Sequence, residues 1–75
     1  MEHSKNIIGP QVRKIRDSHG WTQETLATKC NLVGLDLSRA SLSKIEAGLR
    51  RVVDAEIPLL AKALKAPIID LFPKT

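Results

Sequence analysis

Positive charge is concentrated in one short part of this 75-residue chain. Between Ser38 and Val53 stand Arg39, Lys44, Arg50 and Arg51, and the only acid among them is Glu46. Guanidinium and ammonium groups at this density are chemistry for a polyanion: Arg forks onto paired oxygens, and Lys meets them as a point charge. The whole chain leans the same way, with 12 Lys and Arg against 8 Asp and Glu, a formal charge of +4. Long-range attraction of a polyanionic partner follows.

Other chemistries find little support. The chain has no pair of carboxylates with room for a pocket, no Ser/His/Asp set of credible spacing, no glycine-rich phosphate loop and no metal-ligand cluster. His3 and His19 lack partners at metal spacing. The one cysteine, Cys30, cannot close an internal disulfide and has no second thiol with which to share zinc; it reads as a small buried hydrophobe in a reducing cytoplasm. The expectation is therefore a protein that is not an enzyme and holds no cofactor or metal. Trp21 and Phe72 are the only aromatic residues besides the histidines, too few for the stacking platforms that bind RNA or single strands. Length predicts one domain over residues 1–75, with its core at about 7–73 and no space for an effector-binding domain. The N-terminus does not resemble a signal peptide, and no apolar run is long enough to span a membrane.

The apolar residues that must position these cations recur at helical spacing. Ile8, Val12 and Ile15 form one stripe, with Pro10 near its start and Gly20 as its stop, predicting a helix from about Ile7 to His19. Thr22 caps a second helix that buries Leu26, Ala27 and Cys30 and fades near Asn31. Leu32-Val33-Gly34-Leu35-Asp36-Leu37 reads as an apolar connector. Ser38 caps a third helix from Arg39 to about Ala47, with Leu42 and Ile45 inward and Gly48 at its end. Asp54 is the candidate cap of a fourth helix carrying Ile57, Leu60, Ala61 and Leu64, although Pro58 sits awkwardly for that start. Pro67 opens a short fifth helix through Ile68, Ile69, Leu71 and Phe72. Trp21 is expected in the core. No segment alternates as a strand does, so the fold class is all-α.

In order along the chain come Thr22-Gln23-Glu24-Thr25-Leu26-Ala27, Ser38-x-x-x-Leu42-Ser43-Lys44-Ile45-Glu46-x-Gly48, Leu60-Ala61-Lys62-Ala63-Leu64 and Ile69-Asp70-Leu71-Phe72. Together they resemble the Cro and phage-repressor (Xre-like) helix-turn-helix family over roughly residues 7–73. The resemblance implies a compact five-helix domain of the phage-repressor DNA-binding type. It also implies a cytoplasmic regulator of transcription, probing duplex DNA with the third helix. One departure stands out: about five additional residues lengthen the connection between helices 2 and 3.

On a helical wheel Leu42 and Ile45 define the buried side of the third helix, so Ala40, Ser43, Lys44 and Ala47 face away and Arg39 lies on a flank. This small, cationic face suits a major groove about 12 Å wide. Arg39 and Lys44 can reach guanine or a phosphate, Ser43 a base edge, and Ala40 a thymine methyl. Ser38 joins this set at the helix start. Gln23 corresponds to a family residue that bonds a phosphate at the second helix's N-terminus, and Arg50 and Arg51 read as phosphate clamps. The resemblance further implies a partly buried Arg16–Glu46 ion pair that fixes the third helix.

A homodimer on a two-fold operator is the expected assembly. Ile68, Ile69, Leu71 and Phe72 are candidates for its interface, though they could equally complete the monomer core. A protein-interaction module, such as an antitoxin-like subunit, is the alternative reading, supported by that C-terminus and by the apolar residues of the connector.

Overall fold

The computed structural model describes residues 4–73, which leaves His3 outside the described residues. Four α-helices, α1 (Gly9–Ser18), α2 (Gln23–Leu32), α3 (Arg39–Glu46) and α4 (Glu56–Leu64), precede a 3-10 helix at Ile68–Leu71. Among the described residues there is no strand.

Local chemistry sets most of the boundaries. Thr22 Oγ1 accepts the Thr25 N–H at 3.1 Å and Ser38 Oγ accepts the Ser41 N–H at 3.0 Å, so a side-chain oxygen satisfies an orphan donor at the start of both α2 and α3. The start of α4 differs from expectation. Its N-cap is Ala55, not Asp54, and no side chain caps it. The reason is Pro58: with the helix beginning at Glu56, the proline is the third helical residue, where no intrahelical N–H bond is forfeited.

The connector after α2 is anchored at both ends. Gly34 takes φ +95°, a left-handed conformation that reverses the chain without the steric penalty of a side chain. Asn31 Nδ2 donates to Ala27 O at 2.8 Å and to Leu37 O at 2.9 Å, tying the end of α2 to the approach of α3. Leu35 and Leu37 drop into the core, whereas Leu32, still helical, is 80% exposed.

That core comprises Ile8, Val12, Leu26, Leu35, Leu37, Leu42, Ile45, Leu60, Leu64 and Leu71 with smaller residues between them, each large side chain contributing about 1.5–3 kcal/mol on burial. Of its two readings, Leu71 takes the second: it is fully buried in this same core and offers no surface to a partner. The expectation for Trp21 needs correction. Trp21 is only half-buried; it stacks on His19, with ring centroids 4.1 Å apart, and carries the Lys29 ammonium 4.5 Å from its ring centroid. His19 Nε2 donates to Leu64 O at 2.7 Å, which joins the end of α1 to the end of α4. Cys30 is buried among these helices, and desolvation of the thiolate pushes its pKa up to about 11.

Candidate nucleic-acid interface

Helix α3 is amphipathic by construction. Leu42 and Ile45 are fully buried, Arg39, Ala40, Lys44 and Ala47 are exposed, and Ser43 is half-buried at the edge. The exposed flank carries two cations and two small residues over little more than two turns. Its capping residue, Ser38, is exposed. A duplex approaching this side meets side chains short enough to admit close contact and charges able to reach beyond them.

One ion pair holds α3 against α1. Arg16 Nε donates to Glu46 Oε2 at 2.7 Å and Arg16 Nη2 to Glu46 Oε1 at 3.1 Å, a bidentate geometry. The two are the buried charged residues among those described. Arg16 Nη1 donates to Trp21 O at 2.6 Å and lies 3.3 Å from Asp17 Oδ1, so the guanidinium has partners on several sides. The hydrogen bond to Glu46 raises the Arg16 pKa, over the opposing effect of burial. This pair links the last turn of α1 to the last residue of α3, which restricts rotation of the exposed flank relative to the core.

Gln23 enters the same network. Its Nε2 donates to Glu46 Oε1 at 3.0 Å, so the amide is held against α3. Gln23, Ser43, Glu46 and Ala47 border an open cleft of about 250 Å³ between α1, α2 and α3, closed on the α1 side by Arg13 and Arg16. Arg13 is absent from the residues picked out by sequence. It is largely exposed, with Asp17 at 3.8 Å one turn away. A cation on the outer face of α1 carries no local signal of this position; only the packing of α1 beside α2 and α3 brings it there.

The two loop arginines differ. Arg51 is exposed. Arg50 is half-buried and forks onto Glu56, Nη1 to Oε1 at 3.1 Å and Nη2 to Oε2 at 3.0 Å, while Nη1 also donates to Arg51 O at 2.8 Å. The hydrogen bond to Arg50 lowers the Glu56 pKa, and Glu56 Oε1 also accepts the Val53 N–H at 3.1 Å. Arg50 thus ties its loop to the start of α4, its guanidinium shared with Glu56. At the C-terminus Ile69 is 76% exposed and Ile68 45%, Phe72 is half-buried against the core, and Leu71 is inside it.

The comparisons with known proteins agree with this geometry. A helix-turn-helix family model, HTH_3, matches residues 12–71. No curated protein matches the chain. Among solved structures, the restriction-modification controller protein C.AhdI from Aeromonas hydrophila is 34% identical, covers 87% of each chain and superposes with a TM-score of 0.76. The hypothetical transcription factor NHTF from Neisseria is 25% identical over 95% of this chain and 76% of its own, with a TM-score of 0.78. The clp gene regulator ClgR from C. glutamicum, at 24% identity over 95% and 86%, shares the fold with a TM-score of 0.78.

Proposed function

Because the chain belongs to the HTH_3 helix-turn-helix family, we propose that it is a cytoplasmic, DNA-binding regulator of transcription, sequence-specific for duplex DNA and acting as a homodimeric repressor through α3. The observation that carries this reading is the division of α3: Leu42, Ile45 and Glu46 are locked to the protein while Arg39, Ala40 and Lys44 stand clear of it. In this reading Arg39, Ala40, Ser43 and Lys44 read base edges. Ser38, Gln23 and Arg51 contact phosphates, and Arg13 adds charge from α1. Arg50 supports the loop. The entire 75-residue chain acts as one helix-turn-helix unit, and resemblance to a controller protein and a transcription factor favours a regulatory role.

Ile68 and Ile69 are the exposed apolar residues at the C-terminus best suited to pairing two copies, which would double the contact with a symmetric operator. Selection of bound sites from random duplexes tests the proposal. A two-fold symmetric motif is the expected product. Arg39→Gln should change the preferred base at one position per half-site, whereas Arg51→Gln should weaken all sequences alike. Recovery of no enriched sequence would refute sequence-specific binding.

A further inference from the structure

The chain before α1 is bound to the end of α3 by contacts that packing alone does not require. Asn6 makes three hydrogen bonds: Oδ1 accepts the Gly9 N–H at 2.7 Å, and Nδ2 donates to Ile45 O at 3.1 Å and to Arg50 O at 2.8 Å. One amide therefore joins the start of α1, the last turn of α3 and the basic loop. Beside it, the Lys5 N–H donates to Gly48 O at 2.8 Å. Ser4 packs so closely on Gly48 that a Cβ there would lie 2.8 Å from Ser4 Oγ. The segment Ser4–Ile7 is thus a strap across the C-terminal end of α3.

Lys5 is exposed on this strap and makes no ion pair among the described residues. The neighbouring acids are already engaged, Glu46 by Arg16 and Glu56 by Arg50, which leaves Asp54 as the exposed acid of the segment from α3 to α4. The hydrogen bonds of Lys5 and Asn6 are to backbone atoms, so the positive charge of Lys5 stays available while its main chain is held. A cation on a pre-ordered backbone loses less entropy on binding than one on a free tail.

We infer that Lys5 is a further phosphate-contacting residue of the DNA interface, positioned there by the Asn6 clasp. It supplies charge next to the loop that presents Arg51, and as a lysine on main-chain supports it contributes affinity without base preference. This inference rests on the reading of α3 as the groove-binding helix.

The test is duplex binding by the full chain, followed by fluorescence anisotropy over a range of salt concentrations. Lys5→Gln should leave the melting midpoint unchanged and reduce the steepness of log K against log salt by about 0.9, equally on a selected site and an unrelated duplex. Lys62→Gln, the same charge change on the exposed side of α4, should leave the slope as in the wild type. In Asn6→Ser, which keeps an acceptor for the Gly9 N–H but cannot span both carbonyls, Lys5→Gln should have a smaller effect on the slope. An unaltered slope in Lys5→Gln, or an equal loss in Lys62→Gln, would overturn the contact. An undiminished effect of Lys5→Gln in the Asn6→Ser background would overturn the positioning role. A flat salt dependence of the wild type would refute DNA binding itself, and so is distinguishable from failure of the strap.

Discussion

Replacing Glu46 by Ala removes two charge-assisted hydrogen bonds from a guanidinium whose side chain is only 10% exposed. Breaking a buried pair from one side costs about 3–5 kcal/mol, because the remaining charge is left desolvated. Arg16 keeps Trp21 O at 2.6 Å and Asp17 at 3.3 Å, so its isolation is incomplete and the low end, about 3 kcal/mol, is expected. For a domain of this size each 1 kcal/mol moves Tm by about 4–8 °C, which predicts a fall of about 12–24 °C in thermal denaturation followed by circular dichroism. The comparison that isolates the cause is Arg16→Met with Glu46→Leu. With no charge stranded, the double variant should recover to within about 1 kcal/mol of wild type, since attraction and desolvation largely cancel in such pairs. A Glu46→Ala protein melting within about 5 °C of wild type, under about 1 kcal/mol on the same scale, would refute the claim that this pair is buried and fixes α3.

Gly9→Ala should destabilise by more than the usual helix preference for Ala would recover, because the added Cβ would lie 2.3 Å from Ile45 O and 3.0 Å from Glu46 O. Both are backbone atoms of α3, so α1 must back away; a denaturation midpoint at or above wild type would contradict the close approach. Glu56 has its pKa lowered in the fold, so its contribution to stability is full above the unfolded value of 4.5 and is lost as pH falls through the lower folded value. Glu56→Gln should therefore lower Tm near neutral pH and flatten the acid limb below about pH 4.5; an acid limb unchanged in steepness would count against the Arg50–Glu56 fork. Cys30 should react with a thiol reagent only at the rate of unfolding, given its burial and a pKa near 11; rapid labelling of native protein would show that the thiol is accessible.

Where sequence signals are local, the elements follow from them. Thr22 and Ser38 cap helices because a hydroxyl two or three residues before an unpaired N–H is a local event, and the spacing of Leu42 and Ile45 orients α3 before any tertiary contact is known. At α4 two local signals compete: Asp54 is a good cap by type, but Pro58 moves the helix start past it. Elsewhere a distant partner decides. Leu71 suits either a dimer interface or the monomer core by type, and only the closing of the core over it decides. Arg50 reads as a phosphate clamp beside Arg51, and its fork onto Glu56 depends on how the loop turns back to α4. Asn6 carries no signal at all in an unexceptional N-terminus; its partners Ile45 and Arg50 are 39 and 44 residues away. Helical type and face were thus readable from period and caps, while the loops and straps that hold α3 in place belong to contacts between remote parts of the chain.

The surface of the folded protein that meets the duplex decides between α3 and every other candidate. Backbone amide shifts of isotopically labelled protein, titrated with a selected site, address that most directly. Perturbations concentrated on Ser38–Lys44, with Gln23, Arg51 and Lys5 following, are the expected result. Shifts confined to the ends of α2 and α4 around Lys29, Lys62 and Lys65, with α3 silent, would contradict it.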